Sequence, residues 1–339
     1  MSKIVSAQHR RANAWALALI AVAVFACLLG AGIGSTGVEH VWHAYGDPAA
    51  WQIVWDIRMP RTIGAWCAGA LLGLSGALAQ GLFRNPLADP FLLGSGSGAS
   101  LGVAVVLSLI GGTPATTHWM VNLGLTGAAF LGAVGAVLLT MLLARGVQHT
   151  LRLLLAGVIV GVVLGALNSL MMLLSPDVML ATQAFKLGNT GFVDWSALTL
   201  MAGVWVVCAI VAWSLARVFD GLTLGEETAT SLGLRIAPLR SLLIAVLGLA
   251  VGTAVAQTGL IAFVGLAAPH LVRSVVKTTH KRLIFLSSLM GGLLLLLADL
   301  LARWLIAPDE LPVGVLTALL GGAYLLWLMH AQSRKMEAA

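Results

Sequence analysis

The chain has 339 residues, of which 59% are hydrophobic and only 9% charged, against about 25% charged in a soluble domain. That balance excludes a water-soluble globular protein and reads as an all-α polytopic membrane protein with little soluble mass. The net charge of +6 does not point to nucleic acid, because the basic residues sit in short loops between apolar runs, where the positive-inside bias places them.

The basic N-terminal segment SKIVSAQHRRANAW (2–15) precedes an apolar run and lacks a convincing small-residue cleavage site near Gly30–Gly37. The first span is therefore expected to be retained rather than removed as a signal peptide. At roughly 20 apolar residues per crossing, about ten spans are expected: Trp15–Gly34, Thr62–Phe83, Leu92–Ile110, Leu123–Ala144, Leu153–Leu174, Leu198–Leu215, Leu239–Ala256, Leu260–Leu271, Leu283–Leu305 and Val313–Met329. Residues 1–339 are read as one transmembrane domain. Ten crossings put both termini on one side. Fifteen basic residues fall on that side and four, Arg58, Arg61, Lys186 and Arg303, on the other, so both termini are expected to be cytoplasmic.

In the stretch Arg58–Gly102, Arg58 and Arg61 open an apolar run that carries Gly69, Gly73 and Gly76, so another helix can approach its backbone closely. The run stops at Arg84-Asn85-Pro86, where Pro86 biases Asn85 away from helix. Pro90 keeps the chain irregular, and Gly94, Gly96 and Gly98 alternate with serines before the next run. Non-helical backbone at the membrane needs protein or a water-filled cavity around it, which points to a packed bundle with an internal path. In the fifth span Gly157, Gly161 and Gly165 lie on one helical face. That ridge serves close packing, lines a transport path, or does both.

After the sixth span, Thr223 and Glu226 fit a capping box, Leu224, Ala229 and Leu232 form an apolar face, and Gly233 is placed to end the helix. An amphipathic cytoplasmic helix over about 223–234 is expected. Its charges, Glu226 and Glu227, fit a protein partner better than anionic headgroups. In QTGLIAFVGLAAPHLVR (257–273), Ala256-Gln257 with Gly259-Leu260 echoes Ala79-Gln80-Gly81-Leu82, at opposite ends of their spans, which agrees with repeats of inverted topology. The eighth span is expected to end at Pro269-His270. Asp299, within the ninth, is either a functional group or the i, i+4 partner of Arg303.

No GxxxxGK[ST] loop is present, so the chain cannot hydrolyse ATP by that route. Gly94–Gly98 has no preceding strand, no HExxH occurs, and no nucleophile–base pair stands out. His40 and His43 lack a third ligand, and Cys27, Cys67 and Cys208 read as small buried hydrophobes. No catalytic or metal-ligating residue is therefore expected. A single intramembrane carboxylate, Asp299, argues against a proton-coupled carrier.

The segments RMPR (58–61), GALAQGLFRNPLADP (76–90), LLLAGVIVG (153–161), LGEETATSLG (224–233), GLIAFVGLAAPHLVR (259–273), ADLLAR (298–303) and ELPVG (310–314) cover the chain nearly end to end. With them the sequence resembles the FecCD-type permease subunits of bacterial type II ABC importers for ferric siderophores, haem and cobalamin. It departs in the outer loop 183–195, where Phe185-Lys186 stands in place of the family's usual tryptophan.

The resemblance implies a homodimer of ten-span subunits with a central path, in a bacterial inner membrane. It implies two cytoplasmic ATPase subunits that use ATP and Mg, with no cofactor bound by this chain, and a periplasmic substrate-binding protein. Carried over residue by residue, Leu224, Gly225, Glu226, Ala229, Leu232 and Gly233 look like the ATPase-coupling helix. Asn85 and Leu87, with His149 and Thr150 as a second part, look like the cytoplasmic gate. Arg58, Arg61 and Arg303 look like docking charges for the binding protein, against the alternative of arginines snorkelling to headgroups. Gly157, Gly161, Gly165 and Lys186 are the candidates for the substrate path. Haem is the expected substrate because Lys186 offers a cation to its propionates. Ferric siderophore and cobalamin are the alternatives within the family, and an ion-coupled secondary carrier is the alternative outside it.

Overall fold

Within hydrocarbon a backbone amide finds no water, so an apolar chain satisfies its own hydrogen bonds by coiling into helices. The computed structural model describes residues 2–34, 37–38, 47–110, 119–144, 150–223, 230–231 and 236–337, and nearly all of them are helical. Helix α1 (Ser2–Gly32) runs into a small antiparallel pair, β1 (Ile33–Gly34) and β2 (Gly37–Val38), with Ile33 opposite Val38. Then α2 (Pro48–Ile53) passes through one π turn, Val54–Arg58, into α3 (Met59–Phe83). A 3-10 turn, Pro90–Leu93, precedes α4 (Ser95–Ile110), followed by α5 (Trp119–Leu143), α6 (Thr150–Leu174) and α7 (Pro176–Leu187). The chain continues through α8 (Trp195–Thr223), α9 (Ile236–Thr258), α10 (Val264–Val275), α11 (His280–Trp304) and α12 (Val313–Glu337).

A helix stands at each place where a span is expected. Among the described residues seven helical stretches are long and apolar enough to cross a membrane, while Ser95–Leu109 and Val313–Leu328 are shorter apolar stretches. Two expectations are corrected. The eighth segment does not end at Pro269-His270: α10 carries Pro269 inside it and runs on to Val275. Nor do the serines and glycines after Pro90 stay irregular, since only Gly94, at φ +80°, interrupts the chain before α4 begins at Ser95.

Helix α3 is the central post, buried along almost its whole length from Thr62 to Phe83. Its glycines make that possible. A Cβ on Gly69 or Gly73 would collide with the α11 carbonyls of Gly291 or Ser287, and one on Gly76 with the α10 carbonyl of Gly265. Pro269 explains the last contact. It has no N–H to give the carbonyl four residues back, which leaves the Gly265 oxygen free against α3. The next carbonyl, of Leu266, accepts from Gln80 Nε2 at 3.1 Å. A similar close pair, Gly98 on α4 against Gly132 on α5, joins the next two helices. Helix α1 buries the stripe Ala12, Leu19 and Ala23 in a cluster with Leu286, Leu289 and Leu293 of α11, and leaves Leu17, Phe25 and Leu28 exposed.

Gly76→Ala is expected to cost about 1–3 kcal/mol or more, because the new methyl meets backbone that cannot swing away. Gly135→Ala is the control, since nothing lies within 4 Å of its added Cβ. Thermal unfolding followed by size-exclusion chromatography should separate the two, and equal midpoints would refute the packing account.

Candidate functional site

Two breaks in the helices meet at one cavity of about 520 Å³. Its walls are Phe91 and Leu92 of the 3-10 turn, Gly157 and Gly161 of α6, and Leu260 and Ala262 of the link between α9 and α10. Gly157 is a contact point, since its Cβ would strike the Leu92 carbonyl. Gly161 leaves room for a methyl, since a Cβ added there would come no closer than 3.7 Å, to Gly94 Cα, and one on Gly165 would lie 3.7 Å from Ser97 Oγ. The ridge therefore packs at one end and borders open space further along. The link itself turns through Gly259 (φ +70°) and Phe263 (φ +68°), irregular backbone of the kind that survives in a membrane only beside protein or a cavity.

At one end of the bundle lies an ionic cluster around Asp299, which has no exposed surface. Arg61 Nε and Nη2 donate to Asp299 Oδ1 at 3.3 and 3.2 Å, and Arg61 Nη1 donates to Glu310 Oε1 at 2.9 Å. Thr190 Oγ1 donates to the same Asp299 oxygen, and Arg303 Nη2 pairs with Oδ2. Arg303 Nη1 also reaches Thr62 Oγ1 at 3.2 Å, and Thr62 in turn donates to the Arg58 carbonyl at 2.6 Å. The i, i+4 pairing of Asp299 with Arg303 is thus present. The three arginines expected to dock a binding protein, Arg58, Arg61 and Arg303, lie at this end of the bundle and are turned largely inward in the single chain. Arg303 is 1% exposed and Arg58 8%, and the buried Asp299 carboxylate holds the Arg61 and Arg303 guanidinium groups inward.

Helix α7 is an element that a search for spans overlooks, because it is shorter than a crossing. Its signal is local: Ser175 stands at the N-cap, Pro176 at the first helical position, Asp177 in the first turn and Lys186 in the last. Lys186 is exposed, and its Nζ lies 3.8 Å from Met172 Sδ. Among the described residues no carboxylate pairs with it. Asn168 Nδ2 reaches the same sulfur at 3.7 Å. Phe185, the residue before Lys186, accepts through its carbonyl from Leu260 N at 3.1 Å, so α7 is fastened to a wall of the cavity.

At the opposite end, α3 stops with Arg84 in the left-handed region (φ 49°). Asn85 Oδ1 accepts from Leu87 N at 2.9 Å, and Leu87 is 50% exposed at the turn. Asp89 caps the 3-10 turn by accepting from Phe91 N at 2.8 Å. Nearby, Arg273 of α10 donates to Gln80 Oε1. His280 of α11 meets Asp220 of α8 at 2.7 Å and stacks on Phe219. Of the expected coupling segment, Leu224, Gly225, Glu226, Ala229, Leu232 and Gly233 lie outside the described residues, as does His149; Thr150 opens α6.

These features define a polytopic helical permease with an open cleft between broken helices. The chain belongs to the FecCD transport family, whose model matches residues 18–331. It is accordingly an ABC permease subunit, a transport component rather than an enzyme. The hemin transport system permease protein HmuU of Yersinia pestis is 36% identical over 321 residues, covering 93% of this chain and 94% of that one. The vitamin B12 import system permease protein BtuC of Escherichia coli O157:H7 is 36% identical over 343 residues, covering 98% and 100%. Among solved structures, a metal-chelate type ABC transporter in an inward-facing conformation superposes with a TM-score of 0.82 at 30% identity, covering 93% of this chain and 98% of that one.

Two predictions test this site. Asp299→Asn strands Arg303 without a counter-charge and is expected to cost about 3–5 kcal/mol. Glu310→Gln, at the partly exposed rim, should cost less than about 1 kcal/mol. Denaturation of the two variants in detergent compares them, and equal losses would contradict a buried ionic centre.

Asp89 supplies the second. Burial raises its carboxyl from the ordinary 3.8 to about 6, against the opposing hydrogen bond from Phe91 N. The folded state then holds the proton more tightly than the unfolded chain does. Its contribution is fully present below about pH 4 and is lost as pH rises through 6. Asp89→Asn, which retains a capping oxygen, should flatten the stability profile between those values. A profile unchanged by the substitution would show that Asp89 is not the titrating group.

Proposed function

We propose that this chain is the membrane subunit of an ATP-driven importer for haem. The observation that carries the reading is Lys186, an exposed cation with no carboxylate partner among the described residues, one residue from the backbone bond that holds a largely apolar cavity. A porphyrin offers a flat apolar face and two carboxylates, which match those two features. The haem permease HmuU among the relatives supports it. The cobalamin permease BtuC, at the same identity, supports a second reading in which the cargo is a corrin whose amides have no use for the lysine.

In this reading ten crossings leave both termini in the cytoplasm of a bacterial inner membrane, the halves of the chain are inverted repeats, and two copies enclose the path. The Asp299 end faces outward and receives a periplasmic binding protein, with Arg61 and Glu310 at its rim. Asn85 and Leu87, with His149 and Thr150, close the cytoplasmic end. Leu224–Gly233 couples to two ATPase subunits that use ATP and Mg.

The test is uptake by the chain reconstituted with its ATPase partner, comparing haem, cobalamin and a ferric siderophore. Haem should be carried, and Lys186→Gln should raise the half-saturating haem concentration by up to about fivefold, the scale of an exposed ion pair. Cobalamin uptake insensitive to that change, with no haem uptake, moves the assignment to the corrin. Uptake driven by an ion gradient without the ATPase overturns the whole reading.

A further inference from the structure

Where the last turns of α6 meet α7, the seam is more polar than two packed apolar helices need. On α6, Gly161, Gly165, Asn168 and Met172 follow at three- and four-residue spacings and so share one face. Gly161 lines the cleft, and the face runs on from it towards Lys186, which stands one residue from the bond that fastens α7 to the cleft wall. The exposed leucines of this stretch, Leu170 and Leu174, lie on the opposite side of the helix. The face therefore belongs to the interior of one subunit, whatever covers its outer flank.

A sulfur atom is the meeting point. Met172 Sδ is approached by Lys186 Nζ at 3.8 Å and by Asn168 Nδ2 at 3.7 Å. The preceding Met171 packs against the main core, whereas Met172 is half-buried and turns its lone pairs to these two N–H donors. Asn168 is 1% exposed, and its Oδ1 has no partner among the described residues. Thr182 of α7, one turn before Lys186, is fully buried, and its Oγ1 is likewise unpartnered among them. Buried oxygens are ordinarily paired. Two without partners, on a seam that also holds a thioether and an exposed lysine, mark a place that receives a polar or metal-bearing ligand. A thioether is a weak hydrogen-bond acceptor but a soft, polarisable ligand to iron.

We propose that Met172 is a transient axial ligand to the iron of haem in transit. This rests on the reading of the cargo as haem and adds to it the atom that meets the metal. When a propionate takes up the Lys186 ammonium, Nζ leaves Sδ and one sulfur lone pair is freed. That pair forms a coordinate bond to the iron and displaces the water bound on that side. No electron is transferred, and the iron keeps its oxidation state. Asn168 remains on the other lone pair as a positioning residue, which fixes the direction of the one that binds. A thioether suits a path, because a site must hold its cargo weakly enough to let it leave.

The full chain with its ATPase partner is placed in nanodiscs without nucleotide, given substoichiometric ferric haem and compared with empty discs. Iron-edge X-ray absorption should show one sulfur neighbour in the native chain, and a selenium neighbour when the methionines are replaced by selenomethionine. Met172→Leu, or Met172→Gln if the first variant does not accumulate, should abolish that neighbour and lower the haem retained several-fold. Lys186→Gln should lower retention but keep the sulfur neighbour, which separates charge from ligation. Met179→Leu, at an exposed position of α7, should change neither. Haem held above the level of empty discs with no sulfur neighbour, or with one that persists in Met172→Leu, overturns the ligation and leaves the haem reading standing. Haem held no better than by empty discs overturns both, and the cobalamin arm of the uptake assay then decides the cargo.

Discussion

One carboxylate holds one end of the molecule together. Asp299 joins α11, on which it lies, to α3 through Arg61 and to the loop between α7 and α8 through Thr190. Arg61 extends the connection to the loop before α12 through Glu310. Within a bilayer an ionised group stays charged only with partners of opposite sign and satisfied hydrogen bonds. The cluster therefore tolerates a single arrangement, and the segments that supply it are fixed with respect to one another.

The other end is held in a different way. Pro269 takes one donor out of α10, and the freed Gly265 carbonyl is covered by α3 at the bare face of Gly76, while the side-chain amide of Gln80 donates to the next carbonyl, of Leu266. Arg273 then uses the remaining amide oxygen of Gln80. Helix α3 is thus pinned by charge at its start and by backbone complementarity near its finish. Between the two, Gly69 and Gly73 bring it against α11. The cleft survives beside this rigid post because the irregular segments that line it are anchored at both sides.

Much of the helical layout was legible because continuous apolar runs have no other stable form in a bilayer. Helices α2 and α7 were missed although Asp47-Pro48 and Ser175-Pro176 mark their starts, since both are too short to register as crossings. The Asp299–Arg303 pair was legible from its i, i+4 spacing, which is a local signal. Arg61 and Thr190, which meet the same carboxylate, are separated from it by 238 and 109 residues, and no periodicity records such a meeting. A count of basic residues singled out Arg58, Arg61 and Arg303 as exceptions, yet it reports the side of the membrane and not depth of burial. Likewise the glycine ridge of α6 was visible as a face, whereas which glycine touches and which leaves space depends on where the 3-10 turn falls.

The loop between α7 and α8 ends in a projecting ring, Phe192, which is 87% exposed. Its base is rigid. Thr190 is tied to Asp299, Asn189 Oδ1 accepts from Gly191 N at 2.7 Å, Val193 N donates to the Thr190 carbonyl at 3.2 Å, and Trp195 Nε1 donates to the Trp55 carbonyl at 3.0 Å. A spin label or fluorophore at position 192 would therefore stand clear of the fold on a mount that does not wander. Distances read from it would follow the movement of the helices beneath rather than the wagging of a loop, which makes this tip a natural reference point for following the transport cycle in solution.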